Sequence, residues 1–198
     1  MVELDLSDWE KVYKKINVKK LPWFNPKLDF DIQEGIEKYS IKKSSILNLG
    51  EGPGTQAIEL TKLGFKVTAS DISKNAIEKA KKLAIKKKVK IDFKVDDILD
   101  TKIRKKFDYI SDRGCFHVLD PEQRETYIKN VHSLLNKKGY LFLKCFSHKE
   151  KSLKPYGFRP SEIEFYFKKF KILDIIETSF SIDKKKKKPL ALFVIMKK

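Results

Sequence analysis

From Ser45 onward the chain alternates between two hydrophobic periods. Short apolar runs mark buried strands. They take turns with segments whose apolar residues recur every three or four positions, the sign of a helix with one buried face. Ile46-Leu47-Asn48-Leu49 is a short strand ending in glycines. Thr55 to Lys62 follows as a helix that directs Ala57, Ile58, Leu60 and Leu63 inward. Phe65 to Ser70 predicts a strand. Ser73 to Lys86 predicts a helix, opened by a serine N-cap and striped by Ala76, Ile77, Ala80, Leu83 and Ala84. Val89, Ile91, Phe93 and Val95 alternate as a strand from Val89 to Val95, and Phe107 to Ser111 is another. Pro121 to Leu135 reads as a helix with proline in its first turn, and Gly139 to Cys145 as a strand. Strands alternating with helices build parallel βαβ units. The predicted fold is therefore α/β, a Rossmann-like doubly wound sheet with helices on both faces.

The two ends depart from this rhythm. Residues 1–40 lack strand patterning and predict two helices around a turn holding Pro22, Trp23, Phe24 and Pro26. This segment suits a lid. For Trp9 and Tyr13 an amphipathic helix packed on the sheet explains the spacing equally well, whereas Trp23 in its turn is harder to read as ordinary core. After Pro160 come a last helix and two strands, Phe170 to Thr178 and Pro189 to Met196, most simply an antiparallel hairpin with Lys184 to Lys188 at a solvated tip. One domain, 1–198, is expected: a helical lid over 1–40, a cofactor-binding core over 45–145, and a C-terminal helix and hairpin over 160–198.

Composition narrows the picture. A chain of 198 residues with 41% hydrophobic residues suits one globular domain. No apolar run approaches the roughly 20 residues of a membrane span, and no basic segment followed by an apolar one opens the chain. Two cysteines, Cys115 and Cys145, fit a reducing cytoplasm. No heptad or long amphipathic interface helix is visible, so a monomer is expected. The net charge of +17 raises a nucleic-acid partner. Only Arg104, Arg113, Arg124 and Arg159 among the 44 basic residues are arginines, however, and the lysines are spread over nearly every helix and loop. Arginine is the residue of forked phosphate and base contacts. A lysine bias therefore explains the charge better, and a small-molecule partner is favoured over nucleic acid.

The chemistry concentrates where strands end. Gly50-Glu51-Gly52-Pro53-Gly54 follows the first strand and opens a helix, so backbone there can approach a nucleotide-type ligand. Asp71, at the tip of the next strand, can accept both ribose hydroxyls, with Ile72 beside it. Its bland alternative is a turn aspartate ahead of Ser73. Asp96-Asp97-Ile98 ends the third strand. A carboxylate there can take the adenine amino group and Ile98 can cover the ring. A dinucleotide loop has the spacing G-x-G-x-x-G, but here the glycines fall at 50, 52 and 54, too tight for a pyrophosphate.

This set resembles motif I and the two following motifs of class I S-adenosylmethionine-dependent methyltransferases, over about residues 45–145. The resemblance implies strand order 3-2-1-4-5-7-6, mostly parallel with one antiparallel strand. It also implies S-adenosyl-L-methionine as cofactor, S-adenosyl-L-homocysteine as product, and no metal. Two departures stand out. The family usually carries an acid where Asn48 stands and Cys or Ser where Glu51 stands. Glu51 restores a carboxylate that either meets the cofactor's ammonium or points to solvent.

A closer resemblance lies in Phe107-Asp108-Tyr109-Ile110-Ser111-Asp112-Arg113-Gly114-Cys115-Phe116-His117-Val118-Leu119, with Leu143-Lys144-Cys145-Phe146-Ser147 and Leu21-Pro22-Trp23. It is similar to the thiopurine/thiol and tellurite methyltransferase branch, which implies a soft acceptor and Trp23 over the cofactor. Strands four and five converge on the methyl donor in this topology. Asp112, Arg113, Cys115, Phe116, His117, Phe146, Ser147 and His148 are thus expected to rim the acceptor pocket. Arg113 would hold the cofactor or an anionic acceptor. His117 would act as a general base, or as an orienting histidine bonded to backbone. Arg159, in Phe158-Arg159-Pro160, belongs to a second candidate substrate loop. Cys115 and Cys145 read more simply as small buried hydrophobes than as reactive thiols. Two alternatives remain. One is an RNA or protein methyltransferase, although no Asp/Asn-Pro-Pro-Tyr/Phe motif or Pro-Cys/Thr-Cys nucleophile is present. The other is a non-catalytic cofactor-binding protein.

Overall fold

The computed structural model describes residues 8–151, 156–180 and 188–198. Seven strands form one sheet in the order β3-β2-β1-β4-β5-β7-β6: β1 Ser45–Leu49, β2 Lys66–Asp71, β3 Asp92–Val95, β4 Phe107–Arg113, β5 Leu135–Phe146, β6 Lys171–Ser179 and β7 Leu190–Lys197. All pairings among β1 to β5 are parallel, and β7 runs antiparallel to both β5 and β6. The doubly wound reading and the strand order both hold. The helices are α1 Trp9–Lys15, α2 Phe30–Lys38, α3 Thr55–Lys62, α4 Lys74–Lys86, α5 Arg124–Leu134 and α6 Pro160–Tyr166. The expected tip of the last hairpin, Lys184 to Lys187, lies outside the described residues.

Alternation along the strands divides the core. Ile46, Tyr109, Phe142 and Ile195 face α2 and α3, whose Ile32, Ala57 and Leu60 they bury. Leu47, Ile110, Leu141 and Val194 face α5 and α6, which contribute Tyr127, Ile128, Val131 and Ile163. A third cluster joins Val12, Tyr13 and Leu21 of the N-terminal segment to Ala76 of α4. Glu10 of α1 accepts from Ser73 Oγ (2.6 Å) and Asn75 N (3.1 Å) at the start of α4, and Lys79 Nζ reaches back to the Tyr13 and Ile16 carbonyls. Each helix thus supplies polar partners to the open end of the other.

Three strands differ from expectation by more than one residue at a boundary. β3 begins at Asp92 rather than Val89, because Lys88 is left-handed (φ 57°) and Val89 N closes α4 on the Ala84 carbonyl. β4 continues to Arg113, past its polar end, since Asp112 and Arg113 pair with Leu143 and Lys144 of β5. β5 starts at Leu135 because α5 stops at Leu134.

Candidate active site

The parallel strands place Leu49, Asp71, Val95, Arg113 and Phe146 at one edge of the sheet. The glycine loop turns there. Gly54 is left-handed (φ 87°), and a Cβ on it would lie 2.8 Å from the Ala80 Cβ, so the loop packs tightly on α4. Gly50 abuts Cys115. Gly52 lies under the Tyr13 hydroxyl, where a Cβ would collide with it.

Asp71 is the hinge of this corner. Its Oδ2 accepts from Gly52 N (2.8 Å) and its Oδ1 from Ser73 N (2.9 Å). Each oxygen keeps a lone pair for a further donor, which suits two vicinal hydroxyls. Burial pushes this carboxyl up to about 6, against those backbone bonds. Ile72 and Val95, each 54% exposed, form an uncovered apolar strip beside it. These features fit an adenosyl group: backbone approach, a diol acceptor and a ring face.

Other residues take different positions. Glu51 does not point to solvent. Its buried carboxylate accepts from Asn48 Nδ2 and from Ala57 N (3.2 Å) in the first turn of α3. Asn48 and Glu51 therefore form one unit that orders the loop. Burial raises the Glu51 carboxyl to about 8, and Asp71 adds to the rise. Asp96 accepts from Thr101 Oγ1 (2.7 Å) and Lys102 N (2.8 Å), and Asp97 from Leu99 N (2.9 Å), so both stabilise their own loop. Ile98 is buried in the core beneath α5, and the exposed apolar surface beside Asp71 belongs to Ile72 and Val95.

Trp23 donates from Nε1 to the Tyr13 hydroxyl (3.1 Å), and its ring meets Trp9 edge-on at 5.6 Å. The expected tryptophan is thus joined by Tyr13, which is the ring that reaches the glycine loop. Sequence spacing left Tyr13 undecided because it also lies on the buried face of α1.

At the ends of β4 and β5, Arg113 and Lys144 are register partners on one face. Two adjacent cations require an anion between them. Asp29 provides it, through Arg113 Nε (2.7 Å) and Lys144 Nζ (2.6 Å). Asp31 takes Lys144 at 2.5 Å and Thr178 Oγ1 at 3.0 Å. Burial raises the Asp29 carboxyl, but Lys144 and Arg113 outweigh it and hold it below its ordinary value. Arg113 also bonds the Trp23 carbonyl (3.3 Å), so this quartet fastens the N-terminal segment to the sheet. Asp29, Asp31 and Lys144 were not expected. The visible signal was a lysine inside an apolar strand.

His117 is buried, and its Nδ1 accepts from Phe146 N (3.3 Å). Burial, reinforced by Arg113, lowers it to about 3. The imidazole is therefore neutral with its proton on Nε2, and its Nδ1 is bonded to backbone. Asp112 is also occupied, by Tyr127 OH (2.5 Å), Cys115 N (2.7 Å) and Phe116 N (3.0 Å), and it caps the turn carrying His117. Phe116 faces the core, stacked on Phe158 at 5.0 Å, and does not line a pocket. Ser147 is buried and accepts from Lys149 N, while Arg159 is exposed at the N-cap of α6. Neither converges on the site. Phe146 does, stacked on His117 at 4.1 Å. Burial pushes both cysteine thiols upward, away from thiolate reactivity.

Known proteins carry the same pattern. Residues 46–139 match the family model described as a methyltransferase domain. An uncharacterised methyltransferase of Schizosaccharomyces pombe is 31% identical over 109 residues, 54% of this chain and 75% of that one. TehB of Haemophilus influenzae, named a probable S-adenosyl-L-methionine-dependent methyltransferase, is 26% identical over 148 residues, 73% of this chain and 52% of that protein. A solved structure concerned with conversion of a disulfide bond into a thioacetal group during echinomycin biosynthesis superposes with a TM-score of 0.82 at 20% identity, covering 96% of this chain and 89% of that one.

Proposed function

Since the chain belongs to the class I S-adenosylmethionine-dependent methyltransferases, and within them resembles the TehB branch, we propose that it methylates a small acceptor through a soft nucleophile that arrives already anionic, a thiolate first of all. The observation that carries this is the state of His117. It is a neutral donor whose Nδ1 is taken by backbone. Asp112 is spent on its turn and Asp29 on two cations, so neither carboxylate is free to remove a proton from an acceptor.

When bound, the cofactor supplies a methyl group on a positively charged sulfonium. The lining offered by Phe146 and neutral His117 solvates an anionic acceptor poorly. Charges of opposite sign that cancel on reaction gain from such a low-dielectric wall. A thiol near its ordinary value of about 8.5 is already a few per cent thiolate at pH 7. His117 and the quartet position the acceptor, and the protein excludes water.

In this reading Gly50, Gly52 and Gly54 receive the cofactor's amino-acid end and Asp71 its ribose. Ile72 and Val95 flank its adenine, and Asp96 and Asp97 shape that rim. Residues 8–40 act as the lid, with Trp23 and Tyr13 over the cleft, and residues 45–145 as the cofactor-binding core. The similarity to TehB supports the same branch. The net charge of +17 favours one competing reading, a polyanionic acceptor. Labelled methyl transfer to small thiols, a thiopurine, selenite, tellurite and bulk tRNA separates the two. Label in thiols is expected, at a rate that rises with the thiolate fraction, and label confined to RNA overturns the proposal.

A further inference from the structure

Phe180, just after β6, is 5% exposed yet belongs to none of the three hydrophobic clusters. Its neighbours explain this. The ring meets the His117 imidazole edge-on at 5.7 Å and Phe146 edge-on at 5.2 Å. The Arg113 guanidinium carbon lies 5.2 Å from its centroid and Lys144 Nζ 5.4 Å. All four partners sit at the carboxyl ends of β4 and β5 or in the turn after β4. Phe180 N is held by the Pro189 carbonyl at 2.9 Å, where the hairpin strands separate. A ring from the far end of the chain therefore fills the space between the quartet and the imidazole.

We propose that Phe180 is the size-determining residue of the acceptor pocket, its ring setting the largest group that can stand against His117 and Phe146. This rests on placing the acceptor at the ends of β4 and β5. Truncating the ring should admit a larger aromatic acceptor without touching the cofactor's contacts at Gly52 and Asp71. An apolar pocket discriminates by filled volume, with even one methylene worth on the order of tenfold.

The test compares wild type with Phe180→Ala and Phe180→Leu, using ethanethiol, thiophenol and 2-naphthalenethiol with labelled cofactor. The ratio of kcat/KM for 2-naphthalenethiol to that for ethanethiol should rise by tenfold or more in Phe180→Ala, on the scale of pocket discrimination. It should rise less in Phe180→Leu, and cofactor affinity by calorimetry should stay within about twofold. An unchanged ratio overturns the proposal. A second readout needs neither turnover nor cofactor: naphthalene titrated into the variants should shift the His117 imidazole resonances, and it should leave wild type unmoved. Should no thiol be methylated by any variant, the acceptor class fails and this titration alone decides about Phe180. No shift at His117 then overturns it. If Phe180→Ala does not fold, Phe180→Leu carries both comparisons.

Discussion

Replacing Asp29 by Asn isolates the ion quartet that anchors the N-terminal segment. The side chains of Asp29 and Lys144 are fully buried, Arg113 is 9% exposed and Asp31 13%. These are not surface pairs worth a few tenths of a kcal/mol. The substitution leaves two register-paired cations facing each other with only Asp31 to answer them. Breaking a buried pair from one side costs about 3–5 kcal/mol, because the remaining charge stays desolvated. For a chain of this length each kcal/mol moves Tm by about 2–4 °C, so a fall of roughly 10 °C is expected. Urea unfolding followed by far-UV circular dichroism measures the loss in free energy, and a thermal scan the fall in Tm. The double variant Asp29→Asn/Lys144→Met should recover part of the loss, since it removes the stranded cation as well. The acid dependence has a definite sign. The Asp29 carboxyl is held below its ordinary value of 3.8, so its stabilisation is present above that pH and is lost as pH falls below it. The Asn variant should lack that part of the acid sensitivity. A single-variant loss below about 1 kcal/mol, or a double variant as unstable as the sum of the singles, would refute the reasoning.

Glu51→Gln should alter stability in the opposite pH range. Its folded carboxyl is raised from 4.5 to about 8, so its favourable contribution is present below 4.5 and is lost as pH rises toward 8. The Gln variant should gain on wild type across that window by a few kcal/mol, read from urea midpoints at pH 5 and pH 9. Parallel curves would contradict a buried carboxyl. His117→Gln should lower kcat by roughly tenfold through lost orientation. It should leave the alkaline rise of the rate where the acceptor's own ionisation puts it, and loss of that rise would restore His117 as the base.

Local pattern made the architecture legible, since each βα unit carries its own period and the glycine loop its own spacing. Asp71 was readable because it ends a strand. Val89 misled because its alternation continues the strand's parity, although its N–H belongs to the α4 terminus. Phe116 misled for a related reason. The turn after β4 is a 3-10 segment with no two-residue period, so proximity to the strand end did not fix its direction. The quartet was beyond local reading, because Asp29 meets Arg113 and Lys144 across 84 and 115 residues. Phe180 is likewise a long-range partner, brought in by the pairing of β6 with β7. Of the quartet, only Lys144 carries a local signal, a charge near the end of an otherwise apolar run of β5.

The cofactor site remains the centre of the account, and calorimetric titration of the full chain with S-adenosyl-L-methionine tests it most directly. Saturable binding at one site per chain is expected, with a loss of affinity of tenfold or more in Asp71→Ala. That corresponds to at least about 1.4 kcal/mol from removing the carboxylate proposed to accept two ribose hydroxyls. Absence of saturable heat with both S-adenosyl-L-methionine and sinefungin, or equal affinity in Asp71→Ala, would contradict it.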